Sequence, residues 1–154
     1  MILDKRNEFA DGTAVNTGAA GTYLLGNQID LGAAQRDIGS GEPVYLVITA
    51  AEAITAGAGG TLDFTLASDA QAAIAVDGSA TVHFKTGPIA ATSIPAGTVL
   101  AAVAVPMEGK AYERYLGVLQ TTATAAATAG KIDAFLTLDV SSGKPTTRLA
   151  TCKE

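Results

Sequence analysis

The chain has 154 residues, a mass of 15.4 kDa and a formal net charge of −5, which is the size of one domain able to bury a core without metals or disulfides. Its one cysteine, Cys152, excludes an intrachain disulfide. The first eleven positions are too charged for a secretory signal peptide, and no apolar run approaches the roughly 20 residues of a membrane helix. We therefore expect a protein made in a reducing cytoplasm that contacts no membrane.

Charge is unevenly distributed along the chain. No lysine or arginine occurs between Asp37 and Asp77, so a nucleic-acid backbone would be repelled there and no direct nucleic-acid binding is expected. The C-terminal quarter is more basic and could dock an acidic surface of a protein partner. Ordinary solvated charge is the simpler interpretation.

Alternation of apolar and polar residues predicts strands along most of the chain. Val44–Thr49 is apolar throughout, which predicts a strand covered on both faces. Ala50–Ala56 is ambiguous because alanine favours helix. In the next strand, Leu62, Phe64 and Leu66 share one face, opposite Asp63 and Thr65.

The second half repeats these patterns. Val99–Val105 is apolar enough to be covered on both faces, and Tyr112–Gln120 resembles a strand. Thr121–Ala129 could form a helical turn, but a loop or edge is favoured because threonine alternates with alanine and Gly130 follows. The clearest strand places Ile132, Ala134, Leu136, Leu138 and Val140 on one face.

Turn signals separate these segments, as in Gly39–Pro43, Gly57–Gly60 and Ser141–Pro145. Roughly eight antiparallel strands punctuated in this way predict an all-β sandwich or barrel. No shift in composition marks a domain boundary, so residues 1–154 are predicted to form one domain. An extended N-terminal segment over about 1–20 and a short tail over about 141–154 would flank it.

Catalytic and metal-binding patterns are missing. A triad would have to use His83, the only histidine, which alternation places facing solvent, opposite Val82 and Phe84. One cysteine and one histidine cannot supply a zinc site, and no calcium loop of alternating aspartates occurs. Gly57–Gly60 lacks the lysine of a phosphate-binding loop. We predict no enzyme, no catalytic residue, no metal and no cofactor.

Four segments carry a family resemblance, and their order and spacing matter more than any one of them. They are Met1–Asp11, Ile29–Ile48 with its Arg-Asp-Ile-Gly and Gly-Glu-Pro motifs, Glu113–Leu116, and the closing strand Gly130–Val140. Together they resemble the cement, or decoration, proteins of tailed-bacteriophage capsids, of the Bordetella-phage type. The segment Ala50–Thr98 matches little.

The resemblance implies a jelly-roll β-sandwich on the outer surface of an icosahedral virion. Such a protein would clamp neighbouring major capsid subunits of the HK97-like fold and stabilise the expanded shell against DNA pressure. It would form a homo-oligomer, with a dimer favoured and a trimer open. The partners implied are the major capsid protein and further copies of the chain.

Candidate contacts with the capsid or with another copy follow from the same motifs. They are Leu3, Asp4, Lys5, Arg6, Phe9, Arg36, Asp37, Glu42 and Arg114. In the N-terminal segment, Leu3, Phe9 and Val15 would anchor apolar contacts beside polar ones. The alternative is a structured first strand whose charges face water. The loop residues Arg36, Asp37 and Glu42 could equally form an internal salt bridge.

Two other functional classes compete with this interpretation. The same sandwich could be a binding module that recognises a host-surface glycan or receptor, although the absence of tryptophan removes the best sugar platform. A hydrolase would need a constellation centred on His83, which the sequence does not supply.

Overall fold

The chain folds into two antiparallel sheets that enclose one core. The computed structural model describes residues 5–32, 38 and 42–140. Its strands are β1 (Glu8–Ala14), β2 (Gly21–Asp30), β3 (Tyr45–Ala56), β4 (Thr61–Asp69), β5 (Thr81–Lys85), β6 (Ile89–Ala90), β7 (Val99–Ala104), β8 (Tyr115–Ala123) and β9 (Ala127–Thr137). Lys5–Asn7 and Ala91–Ser93 form 3-10 turns. Within these ranges no helix is long and apolar enough to cross a membrane.

The strand order is that of a jelly roll. The first sheet has the order β1-β9-β3-β7 and the second β2-β8-β4-β5, with β6 paired to the start of β4. Thus β1 pairs with β9, β2 with β8, β3 with β7 and β4 with β5. Pairing that runs inward from the two ends in this way is produced by rolling up one long antiparallel hairpin. The predicted all-β jelly-roll sandwich is confirmed, with nine strands in the described ranges.

The core lies between the sheets and accounts for the two-residue period. Leu62, Phe64 and Leu66 of β4 are fully buried, as predicted, and each such side chain contributes about 1.5–3 kcal/mol of transfer free energy. In β9 the predicted apolar face is buried from Ile132 through Ala134 to Leu136, as expected. Leu138 is 64% exposed because β9 ends at Thr137.

The outer face of the second sheet is covered by the loop that joins β4 to β5, residues 70–80. Ile74 of this loop packs against Ala67 and Leu119. Thr65 is therefore only 3% exposed, although alternation predicts that it faces water. Local sequence does not reveal this cover, because it depends on where a distant loop folds back.

Both alanine-rich segments contribute to strands: the first entirely, and the second at its two ends. Ala50–Ala56 continues β3, in register with β9 through three irregularities. The segment Thr121–Ala129, interpreted above as a loop or edge, is instead the end of one strand and the start of the next: β8 continues to Ala123 in the second sheet, and β9 begins at Ala127 in the first. Between them Thr124 adopts φ +68°, a turn conformation. Pairing with neighbouring strands overrides the low strand propensity of alanine.

The apolar segment Val44–Thr49 is covered on both faces, as predicted. Leu46 and Ile48 are fully buried toward the core, and Val47 on the opposite face is 9% exposed.

The same prediction is wrong for Val99–Val105. Strand β7 lies at the edge of the first sheet, Val99 is 45% exposed, and Ala102 and Ala104 are exposed as well. A continuous apolar run therefore indicates cover on both faces for a central strand but not for this edge strand.

The two sheets approach closely at Gly26 of β2. This residue has φ +64°, and a Cβ atom there would overlap the carbonyl oxygen of Phe9 in β1. We expect Gly26→Ala to lower the free energy of unfolding by about 3 kcal/mol or more, because the overlap with backbone adds to the strain of positive φ. Urea unfolding followed by circular dichroism measures the change.

Gly12→Ala is the matched control, because Gly12 also has positive φ (+51°) but a Cβ atom there meets nothing within 4 Å. It should cost only the conformational strain, about 1 kcal/mol. Equal losses for the two variants would show that the contact between β1 and β2 does not matter.

Candidate functional site

A groove of about 990 Å³ lies at one end of the sandwich, between the 3-10 turn Lys5–Asn7, the second half of β2 and the end of β9. We call it the end groove. Its lining combines charged, amide and aliphatic side chains, among them Lys5, Arg6, Glu8, Asp30, Asn7, Asn27, Gln28, Leu24, Ile29, Ile38, Val44, Leu136 and Leu138. Among the described lining residues none is aromatic. Such a surface can hold an extended chain.

A bulge in β2 shapes the end groove. The register of β2 against β8 shifts between Leu25 and Ile29, and Gly26 within the shift adopts positive φ. Extra residues of this kind bend a strand and redirect its side chains. Gln28 is turned toward the loop 70–80, and its Oε1 accepts hydrogen bonds from the N–H groups of Ala73 (3.1 Å) and Ile74 (3.3 Å).

An ion pair closes one side of the end groove. The guanidinium of Arg114 donates from Nε and Nη2 to the two carboxylate oxygens of Asp30, both at 2.9 Å. The hydrogen bond to Asp30 raises the pKa of Arg114 above its usual value. The guanidinium also lies over the ring of Tyr115, 5.0 Å from its centroid. Both charges are half exposed, so this pair orients the side chains more than it stabilises the fold.

The end groove brings together residues from separate sequence motifs. Lys5 and Arg6, both exposed, line it through the 3-10 turn, and Arg114 reaches it through Asp30. Glu42 is exposed just before β3 and is not part of the lining. The predicted contact residues Leu3, Asp4, Arg36 and Asp37 lie outside the described residues.

Phe9 requires a correction. It was predicted as an apolar anchor for a partner, but its side chain is fully buried in the core, as is nearly all of Val15, which is 3% exposed. The first strand pairs with β9 and faces inward with Phe9 and Ala10. For this strand the alternative is therefore correct: its apolar side chains belong to the domain, and its charges face water.

The family match extends over nearly the whole sandwich. The model of the family described as Bbp16, which is related to a Bordetella phage, matches residues 9–136. The chain belongs to the Bbp16 family. The matched range runs from Phe9 in β1 to Leu136 in β9, and residues 1–8 precede it. No curated protein matches the chain.

Membership in the Bbp16 family indicates a structural protein of a phage. The family match covers the lining residues that β2 contributes to the end groove, together with Leu136 of β9. The cationic turn with Lys5 and Arg6 lies outside the match, so its role has to be argued from this chain alone.

Sequence reasoning missed the β2 side of the end groove. Gly26, Gln28 and Asp30 belong to the segment Leu-Leu-Gly-Asn-Gln-Ile-Asp, in which a glycine inside an apolar strand pattern is the available signal of a bulge. The partner of Asp30 comes from 84 residues away, and no local pattern identifies it.

His83 also requires a correction, because it does not face solvent as predicted. It is the extra residue where the register of β5 against β4 shifts, and its half-buried ring stacks on Tyr112 with centroids 3.8 Å apart. Its Nε2 lies 2.7 Å from Oγ of Ser68. That oxygen accepts the N–H of Glu113 at 3.0 Å, so its hydroxyl hydrogen is available to the imidazole.

The Ser68–His83 pair of this Bbp16-family chain resembles half of a catalytic triad, but its serine is enclosed by the domain. Ser68 has no exposed surface, and its hydroxyl is held between two partners of the domain itself. Within the described ranges no group of three or more histidine, cysteine or carboxylate side chains could hold a metal ion. We interpret the cluster as a latch that fastens the segment before β8 to β4 and β5.

The latch predicts a pH dependence of stability. Burial lowers the pKa of His83 below its usual 6.5, against the attraction of Glu113, so the folded state favours the neutral ring. The unfolded state then binds more protons as pH falls through 6.5, and the free energy of unfolding decreases there. Urea unfolding between pH 7.5 and pH 5 should show this slope.

His83→Gln is the control for the slope. The chain has no second histidine, and carboxylates titrate at lower pH, so the variant should be less stable at neutral pH but flat over the same interval. An unchanged slope in the variant would assign the pH dependence to other groups.

Proposed function

We propose that this chain is a cement protein, which binds the outer surface of an icosahedral phage head and clamps neighbouring major capsid subunits. The observation that carries the proposal is the Bbp16 family match over residues 9–136, which is nearly the whole of a jelly-roll sandwich. The family supplies the phage context. The sequence motifs described above supply the more specific resemblance to cement proteins.

The end groove is the surface by which this chain meets the shell. Its lining includes aliphatic side chains such as Leu138 and two adjacent cations, Lys5 and Arg6. An extended capsid segment with apolar and acidic side chains complements that combination. Charge at the rim would favour the correct partner, and the apolar floor would supply most of the affinity.

Stabilisation of the shell requires binding and no catalysis. A protein that binds the assembled, expanded shell in preference to free subunits stabilises it by mass action, with each occupied site opposing rupture. The half-buried His83 and enclosed Ser68 suit a structural role, because their hydrogen bonds are used within the domain. The protein acts as a small homo-oligomer, a dimer in preference to a trimer, on the virion surface.

Cosedimentation tests the proposal. The purified protein is titrated against expanded, cement-free shells and against unexpanded procapsids of the same phage. Saturable binding to expanded shells, with increased resistance of the shells to heat, is the expected result. Absence of binding to either particle would reject the cement role.

The end groove can be tested in the same assay. Lys5→Glu with Arg6→Glu reverses both cations of the 3-10 turn, which contributes no buried residue. We expect affinity for expanded shells to fall about tenfold or more, since rim charges govern encounter and partner choice.

Lys85→Glu with Lys110→Glu is the matched control, because both lysines are exposed and neither lines the end groove. It should retain the affinity of the natural sequence, and circular dichroism should show all variants folded. Equal weakening by the two sets of charge reversals would indicate a general effect of net charge and would contradict a contact at the end groove.

A glycan-binding module is the alternative function, and the end groove gives it little support. Sugar sites commonly use an aromatic platform, and the described lining has none. Binding to immobilised host glycans together with no binding to shells would favour this alternative.

A further inference from the structure

Strand β7 leaves backbone hydrogen-bonding groups unused at the edge of the first sheet. The N–H of Val105 donates to the carbonyl of Val44 at 2.7 Å, and Ala104 lies opposite Tyr45. Because bonding alternates along an antiparallel pair, Val103 bonds toward β3, whereas the N–H and C=O groups of Ala102 and Ala104 point away from it. The backbone bonds found among the described residues give these outward groups no partner.

The other edges of the sandwich are protected. At the opposite edge of the same sheet, β1 carries Glu8 and Asp11 and has two register shifts against β9. In the second sheet, β2 is bulged and ends at the ion-paired Asp30, and the five-residue β5 is bulged and ends at Lys85. Charges, bulges and short length are the usual means of preventing one edge from pairing with another.

Strand β7 has none of these protections over most of its length. Its sequence, Val-Leu-Ala-Ala-Val-Ala, contains no charge and no proline, and its one register shift lies at the start, next to Val99. Residues 101–104 are regular. An apolar, regular and exposed edge of this kind is a template for another strand.

An apolar row of side chains on the outer face of the first sheet ends at the same edge. Phe135 of β9, Val47 of β3 and Ala102 of β7 lie side by side in register and form an apolar row across the sheet. Val47 at its centre is 9% exposed, whereas Ala102 at the edge is exposed. The row stops at β7, which is the last strand of this sheet among the residues that the structure describes.

We propose that β7 pairs with β7 of a second copy of this chain, antiparallel about a two-fold axis. With the axis at Val103, Ala102 of each copy lies opposite Ala104 of the other, and each such pair exchanges two backbone hydrogen bonds. Two four-stranded sheets become one of eight strands, and Ala102 at the end of the apolar row meets Ala104 of the other copy. The inference rests on the homo-oligomeric part of the proposed function and identifies the surface that forms it.

A second copy fits this edge better than an unrelated strand does. An antiparallel edge is complementary to itself under a two-fold rotation, so one surface serves both partners. The strand carries no charge, so self-pairing brings no like charges together at the axis, although the whole chain has a net charge of −5. A charged partner strand would meet no opposite charge on β7. The interface is small beside the roughly 1,600 Å² of a standard one, so we expect a dimer that dissociates on dilution.

Sedimentation equilibrium of the purified chain, from micromolar to submillimolar concentration, tests the proposal without any shell. The expected result is a concentration-dependent approach to twice 15.4 kDa. Ala102→Pro should remain monomeric and folded, because the N–H that proline removes points away from β3. Ala102→Lys should also be monomeric, because it places two lysines near one axis. A monomer throughout, a trimer, or a dimer unaffected by both variants would overturn the proposal.

Ala14→Lys is the matched control, since Ala14 is an exposed alanine at the opposite edge of the same sheet. It should dimerise like the natural sequence. Hydrogen exchange gives a second reading that needs no variant: the amides of Ala102 and Ala104 should be protected at high concentration and exchange rapidly on dilution. Exchange that is rapid at every concentration would reject pairing at β7. Failure of shell binding with an intact dimer would instead reject only the cement role.

Discussion

The approach of Gly26 to the backbone of Phe9 determines the shape of the end of the sandwich that holds the end groove. The two residues belong to different sheets, and only a residue without Cβ can stand this close at positive φ. With Gly26 fixed, the bulge that follows turns Gln28 toward the loop 70–80 and leaves Asp30 within reach of Arg114. The end groove therefore depends on a contact in which neither partner contributes a side chain.

The two-residue period made the all-β fold and much of the core predictable, because burial of one face leaves a direct trace in sequence. Leu62, Phe64 and Leu66 behave as their alternation indicates. The errors arose where burial is decided by distant segments. Thr65 is covered by the loop 70–80, and the apolar strand β7 is left at an edge by the order in which strands pair.

The site was less predictable than the core for a related reason. Bulges at Gly26 and His83 change the sheet face to which nearby side chains point. A shift of one residue is enough to exchange the inward and outward positions that alternation predicts. His83 was placed toward solvent on alternation alone, whereas the bulge turns it onto Tyr112. At the N-terminus, the change from 3-10 turn to strand separates exposed Lys5 and Arg6 from buried Phe9 within a few residues. Sequence motifs singled out this region as a whole and could not divide it.

A clamp needs more than one attachment, and the fold separates two surfaces that could provide them. The end groove lies beside β1, and the unprotected strand β7 lies at the other edge of the same sheet. In a dimer joined through β7, two end grooves would be held at a fixed separation by one continuous sheet. Once one groove is occupied, the second binds at a high effective concentration, so two modest contacts give tight attachment when the shell presents its sites at that separation. Before expansion, with subunits spaced differently, the same pair of grooves would gain nothing from being linked. Rigid spacing between weak sites is thus a physical basis on which a small domain could discriminate one state of a shell from another.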